Sequence, residues 1–456
     1  MIPRLVVAGT SSGAGKTTVA CGLIGALRRA GRCVQGFKVG PDYIDPGYHR
    51  LASGRPGRNL DAFLSGPRLI APLVRHGGTG ADIAVIEGVM GMFDGASGRG
   101  ELASTAHVAK LLRAPVLLVV DGSAMSRSAA AVIHGFRTFD PDVPVAGVVF
   151  NRVGSDAHER LLRDAAAELG VPVLGALRRD DRITAPERHL GLIPAGEREP
   201  RAAAALDVLA AAVGRQCDLD RIEQLARSAP GLPGPAWSPA AAPGTAGARI
   251  AIARGPAFSF HYEENLELLA AAGGELLEFD PIRDEALPPG TQALILAGGF
   301  PEVFGAELSA NQALRAEVAA FAAAGRPVLA ECGGLLYLAR ELDGHGMCGV
   351  LPLRGAMAGR LTLGYREARA ATSTPWLDAG DRIRGHEFHY SQVQVADPTT
   401  APAPAWELSA RGSIRPEGFV HGSVQAGYLH VHWAAHPQIA QRFVAAAAGC
   451  RVTVGT

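Results

Sequence analysis

One stretch near the start of the chain constrains the fold more than any other. Residues 5–18 read Leu-Val-Val-Ala-Gly-Thr-Ser-Ser-Gly-Ala-Gly-Lys-Thr-Thr. An apolar strand feeds a glycine loop, and the loop opens a helix. Backbone N–H groups of such a loop and of the first helical turn surround a phosphate, while a lysine there neutralises its charge. Gly13, Gly15, Lys16, Thr17 and Thr18 are therefore the expected nucleotide-binding residues. The Thr17 hydroxyl is placed to meet Mg²⁺. A strand that ends in a phosphate loop belongs in an open α/β sheet, whose ligands gather at the carboxyl ends of the strands.

The rest of the N-terminal half agrees. Apolar runs at Arg4–Ala8, Cys33–Val39, Asp82–Glu87, Pro115–Val120, Val145–Phe150 and Pro172–Ala176 read as buried strands. Helical patterns such as Lys16–Ala30 and Ala157–Leu169 separate several of them. This alternation predicts an α/β fold with a mostly parallel sheet covered on both faces. At 229–247 an Ala/Pro/Gly-rich tract reads as a linker. The expected organisation is a nucleotide-binding domain over 1–228, the linker, and a second α/β domain over 248–456. In the second domain strands are expected at Arg249–Ala253, Glu275–Phe279, Ala293–Leu296 and Pro327–Ala330, with helices near Glu263–Ala272 and Asn311–Ala324. Short strands and a helix after Pro437 complete it.

Composition excludes several classes. Lys+Arg and Asp+Glu balance at 44 each in 456 residues, so there is no electrostatic footprint for nucleic acid or an anionic membrane. No apolar run is long enough to span a bilayer, and the chain enters its first strand without a signal-peptide pattern. Six scattered cysteines lack CxxC spacing and suggest no disulfide frame. A cytoplasmic location is expected. Among the 44 basic residues only Lys16, Lys38 and Lys110 are lysine. A chain so biased to arginine keeps lysine where a compact ammonium is needed, and two of the three lie beside the glycine loop.

Two further segments belong with that loop. Asp82–Glu87 ends in an acid, followed by Gly-Val-Met-Gly-Met-Phe-Asp-Gly over 88–95. Glu87 is a candidate for Mg²⁺, and Asp94 for the substrate side. After the second strand comes Lys38-Val-Gly-Pro-Asp-Tyr-Ile-Asp-Pro-Gly-Tyr-His49. Its Asp42, Tyr43 and Asp45 sit in a turn-rich loop at the same end of the sheet and, with Asp94, are the candidates for the substrate or acyl-phosphate site; turn chemistry alone also favours aspartate before proline, but the place beside the phosphates points to function.

The second domain carries a nucleophile. Residues 325–342 run from a strand through Glu331-Cys332-Gly333-Gly334 into a helix, a nucleophile elbow with cysteine in the place of serine. A thiol at a helix N-terminus is biased toward thiolate. The N–H of Gly333 would help bind an oxyanion, with a second donor from the Ala-Gly-Gly-Phe-Pro-Glu loop over 297–302, where Gly299 is the candidate. A base must come from Gly-Tyr-Leu-His-Val-His-Trp-Ala-Ala-His-Pro over 427–437. His430 and His432 would share one face of a strand, so alternation does not choose between them; His436 stands at a helix entry. Gly-His-Glu-Phe-His-Tyr-Ser over 385–391 lacks the spacing of a helical metal motif.

Taken in order, these motifs resemble the cobyrinate and hydrogenobyrinate a,c-diamide synthases over almost the whole chain. The phosphate loop, with Gly9 rather than Thr10 as its first glycine, resembles the dethiobiotin-synthetase-like branch of P-loop enzymes. Gly-Gly-Phe-Pro-Glu, Glu-Cys-Gly-Gly-Leu, Gly-His-Glu-Phe-His-Tyr-Ser and Tyr-Leu-His-Val-His resemble the signatures of a class I glutamine amidotransferase half. The resemblance implies ATP and L-glutamine as co-substrates, Mg²⁺ as cofactor and a corrinoid as substrate. It implies that Cys332 takes ammonia from glutamine, with His430 as the base, and that ATP activates a ring acetate as an acyl phosphate. A homodimer is compatible with it. Cobyric acid synthase, a sirohydrochlorin diamide synthase, a partitioning-type ATP switch and a scaffold with an inactive amidotransferase half are the rivals. The glutamate that many class I amidotransferases carry two residues after the histidine is replaced by His432 (or by Gln438, for His436). The sequence therefore supports a Cys–His dyad. Ala297 also stands where the family would have a glycine.

Overall fold

The structure, a computed structural model, describes residues 2–180, 195–239, 247–396, 399, 401–410 and 413–449. The chain divides into two compact units, with the main division between Ser238 and Pro239.

The first unit is built on seven parallel strands: β1 (Arg4–Gly9), β2 (Val34–Val39), β3 (Arg58–Leu60), β4 (Ile83–Glu87), β5 (Val116–Asp121), β6 (Val145–Val153) and β7 (Val173–Arg178). Their order is β3-β2-β4-β1-β5-β6-β7. The central strands are apolar runs because both faces are covered, and every residue of β1, β2 and β4 is buried. Helix α1 (Lys16–Arg29) follows the phosphate loop and buries Val19, Leu23, Ile24 and Leu27 on the sheet. Helix α2 (Asp45–Ser53) follows β2, with Pro46 in its first turn, where a missing N–H costs nothing.

The expected linker is only partly a linker. Residues 229–238 pack as a strap on the first unit. Fully buried Arg4 donates to Pro230 O (2.5 Å), Trp237 N donates to Pro72 O (2.9 Å), and the Trp237 ring meets His76 edge-on at 4.9 Å. Residues 240–246 lie outside the described residues.

The second unit contains a 12-stranded mixed sheet. Its parallel part comprises β8 (Ala248–Ala253), β9 (Gly274–Phe279), β10 (Ala293–Leu296) and β11 (Val328–Glu331). Two short strands, β12 (Glu341–Leu342) and β13 (His345–Gly346), precede a long hairpin of β14 (Leu353–Ala370) and β15 (Arg382–Val395). Then come β16 (Ala403–Ala410), β17 (Ser413–His421), β18 (Val424–Gly427) and β19 (His430–Val431), and the helix Gln438–Gly449. Strand β18 runs parallel to β11, which lies parallel to β10. The chain therefore leaves the carboxyl ends of three neighbouring strands at Ala297, Cys332 and Tyr428. No helix among the described residues is long and apolar enough to cross a membrane.

Candidate functional site

In the first unit the phosphate loop bridges the end of β1 to α1. Gly13 (φ 78°) and Gly15 (φ 98°) adopt left-handed backbone, which a side chain would strain. Gly15 has a second reason to be glycine: a Cβ there would lie 1.9 Å from Asn151 Nδ2. That amide, at the end of β6, donates to Ala14 O (3.1 Å) and pins the loop. Lys16 is buried, with Nζ donating to Ser11 O at 3.0 Å, so its ammonium sits over the loop that would hold phosphate. Thr17 and Thr18 fill the next two positions of the first helical turn.

Lys38 and Glu87 are register partners on β2 and β4. Lys38 Nζ lies 2.8 Å from Glu87 Oε1 and 2.6 Å from Asp45 Oδ2, and it also donates to Gly88 O (3.0 Å). Thr17 Oγ1 donates to Glu87 Oε1 (2.6 Å), while His49 Nε2 meets Glu87 Oε2 (2.7 Å). Burial alone would raise the Glu87 carboxyl, but the Lys38 charge and the His49 hydrogen bond outweigh it and hold Glu87 well below the usual carboxylate range. Asp45, buried and beside Glu87, is pushed up instead. One ammonium between two acids keeps the better-paired one ionised.

This donor set suits Mg²⁺. A hydroxyl and an ionised carboxylate, 2.6 Å apart at the foot of the phosphate loop, are the hard oxygen ligands that the ion prefers. Asp42 and Asp94 occupy the expected end of the sheet but turn onto their own loops. Asp42 Oδ1 accepts from Ile44 N (2.8 Å) and Asp45 N (3.0 Å), and Asp94 Oδ2 accepts from Gly91 N (2.9 Å). Tyr43 is half-buried in the same turn as Asp42. The sequence reading passed over His49 and Asn151. The four-residue step from Asp45 to His49, one turn of α2, was the available signal for the first. Lys110, the third lysine, pairs with Glu101 and Asp140 away from this cluster.

In the second unit Cys332 is the elbow itself. Its backbone is at φ 49°, ψ −99°, a conformation that costs a non-glycine residue about 1–3 kcal/mol. It is held there by the bond from Cys332 N to Gly427 O (2.7 Å). The tight turn needs Gly333 and Gly334: a Cβ on the latter would lie 2.1 Å from Leu296 O. Burial, then the charge of Glu302, push the Cys332 thiol up, and the Gly333 N–H offsets only part of this. The thiolate bias expected from the helix N-terminus is therefore overridden. The resting group is a thiol that needs a base.

The site's other parts come from the two adjoining strand ends. A Cβ on Gly333 would sit 3.0 Å from Gly299 N, so the two expected oxyanion residues are neighbours. A Cβ on Gly298 would lie 2.6 Å from His430 Cε1, which places the His430 ring on the same turn. His430 is fully buried, and its Nδ1 is 3.5 Å from Glu331 Oε2. His432 belongs to a separate pair, with Nε2 3.4 Å from Glu264 Oε2. The two histidines thus have different acidic partners. Gly298→Ala should push the His430 ring aside and lower glutamine hydrolysis about 100-fold, the scale of a 1 Å misplacement. Amidation from ammonium salt, measured alongside, should hold.

The Gly-His-Glu-Phe-His-Tyr-Ser strand lines this region. Cys332 Sγ lies 3.8 Å from Phe388 O, and His386 is the cross-strand partner of His430. Glu387 is clamped by Arg366 Nε (2.5 Å) and Arg415 Nη2 (2.6 Å), and the His389 ring stacks on Tyr428 at 3.6 Å. These partners lie on β14, on β17 and just past β18, which is why no local pattern could reveal them.

A phosphate loop on a parallel sheet and a cysteine elbow on a second sheet define a P-loop nucleotide-binding unit coupled in one chain to a class I glutamine amidotransferase unit. Residues 5–193 match the family described as "CobQ/CobB/MinD/ParA nucleotide binding domain", and residues 249–438 match "CobB/CobQ-like glutamine amidotransferase domain". A hydrogenobyrinate a,c-diamide synthase of Streptomyces coelicolor is 54% identical, with 97% of each chain covered. One from Mycobacterium tuberculosis is 52% identical, with 98% of each covered. A cobyrinate a,c-diamide synthase of Syntrophotalea carbinolica is 47% identical, covering 97% of this chain and 98% of its own. The chain belongs to the cobyrinate/hydrogenobyrinate a,c-diamide synthase family.

Proposed function

We propose that this protein converts the a and c acetate carboxylates of hydrogenobyrinate or cobyrinate into amides, using ATP and glutamine, in the cytoplasm. The observation that carries the reading is that one chain holds both halves of the chemistry. A buried thiol follows Glu331, which His430 approaches, at the strand ends of the second unit, and a phosphate loop leads into Thr17, bonded to Glu87, in the first. A carboxylate is a poor electrophile. Phosphorylation supplies the leaving group it lacks, and ammonia then displaces phosphate.

In the amidotransferase unit His430 takes the Cys332 proton as sulfur attacks the glutamine side-chain amide. The N–H groups of Gly299 and Gly333 receive the developing oxyanion. Ammonia leaves, and water clears the thioester. In the nucleotide unit Lys16 and the loop amides hold the triphosphate of ATP. Thr17 and Glu87 would hold Mg²⁺, which when bound neutralises phosphate charge. Lys38 keeps Glu87 ionised for that purpose and brings a second ammonium close to the transferred group. Asp42, Tyr43, Asp45 and Asp94 shape the substrate side: Asp42 and Asp94 by fixing their loops, Asp45 through Lys38. Five relatives named for hydrogenobyrinate share 50–54% identity and three named for cobyrinate 41–47%, which favours hydrogenobyrinate.

The test is incubation with glutamine, MgATP and either corrinoid, followed by product mass. Two successive amidations, faster on the cobalt-free acid, are expected. ATP turnover with an unchanged corrinoid would sink the reading.

A further inference from the structure

A cysteine–histidine pair works best when a third group turns the imidazole and supports its charge. The chain position where that acid often stands, two residues past His430, holds His432. Glu264 already engages His432, and both side chains are 1% exposed. A different carboxylate approaches His430. Glu331 Oε2 lies 3.5 Å from His430 Nδ1, and Glu331 is the last residue of β11, immediately before Cys332.

We propose that Glu331 is the positioning acid of the amidotransferase site, so that nucleophile and acid are consecutive residues and only the histidine is brought by the fold. Three observations carry this. Among the described residues His430 is the one ionisable partner within ion-pair distance of the Glu331 carboxylate, and a largely buried carboxylate without a partner is unfavourable. The surroundings are apolar: Glu331 borders a cavity lined by Trp376, Trp406, Leu429 and Trp433, which strengthens its pull on an imidazolium. The ring is also blocked on another side by Gly298, whose backbone stands against Cε1. With Nδ1 turned to Glu331, Nε2 is the atom left to serve the sulfur. The 3.5 Å separation is slack of the kind that closes when substrate fills such a site.

This inference rests on Cys332 and His430 forming the glutamine site. Its test uses the full chain with Glu331→Gln and Glu331→Asp, measuring amidation from glutamine and from ammonium chloride. E331Q should lower the glutamine kcat roughly 10- to 100-fold, part of what a positioned base contributes. The KM for glutamine should stay within about twofold and ammonia-driven amidation should hold; E331D should regain most of the loss, since only the carboxylate matters. A glutamine kcat for E331Q near that of the parent overturns the proposal. So does a rise in KM with kcat intact, or a parallel loss of both activities in both variants, which would mark a packing role. Cys332→Ala in parallel tells this failure from that of the underlying reading: if it still uses glutamine, the site itself is misassigned.

Discussion

Cys332→Ala abolishes amidation driven by glutamine and leaves amidation driven by ammonium chloride close to the parent rate. The expected fall in the first is about 10⁴-fold or more, the scale seen when a covalent nucleophile is removed. Alanine cannot form the thioester, and in the proposed mechanism His430 and Glu331 serve as base and acid rather than nucleophile, while Ser391 is hydrogen-bonded to Tyr428 at 3.0 Å. The fold should survive. The strained turn at φ 49° is imposed by Gly427, Gly333 and Gly334 rather than by sulfur, and alanine tolerates it no worse than cysteine does. Loss of both activities in a folded variant would count against separate ammonia-making and ligating sites.

Lys16→Ala gives the complementary result. Amidation fails with either nitrogen source, by about 10³-fold, because the ammonium proposed to meet the transferred phosphoryl group is gone. Glutamine hydrolysis, which draws on the other unit, persists. Arginine should not rescue it. The lysine stem already lies close under the loop, with Cγ only 2.8 Å from where a Cβ on Gly9 would be, and a planar guanidinium does not fit the place of a compact ammonium. A K16A enzyme that amidates at the parent rate would remove the phosphate loop from the mechanism.

The contrast between these sites shows what a sequence carries. Strands β1, β4, β5, β10 and β11 were legible because burial on both faces writes them as apolar runs. The hairpin of β14 and β15 was not: Leu353–Ala370 alternates weakly, with arginines and glycines on a half-exposed ribbon. Lys16 and Cys332 announce themselves through glycines, whose φ values and close approaches have no other explanation. Lys38 was flagged by scarcity alone, and its role became visible only once β2 and β4 paired Lys38 with Glu87. Asp42 and Asp94 were placed at the right end of the sheet, yet their carboxylates serve loop amides, as turn chemistry allowed. Glu331 was invisible as an acid because its partner lies 99 positions away (430 minus 331). A motif read along the chain looks for that acid after the histidine, whereas the fold supplies it before the cysteine.

The central claim is that glutamine nitrogen reaches two corrin carboxylates at the expense of ATP. The most direct measurement supplies glutamine labelled with ¹⁵N at the side-chain amide, together with MgATP and hydrogenobyrinate, and locates the label in the product by mass and NMR. The account predicts one labelled amide on each of the a and c side chains, formed in two steps, with ADP and phosphate released at each. Label that stays in free ammonia while ATP is consumed, or an amide on any other side chain, would contradict it.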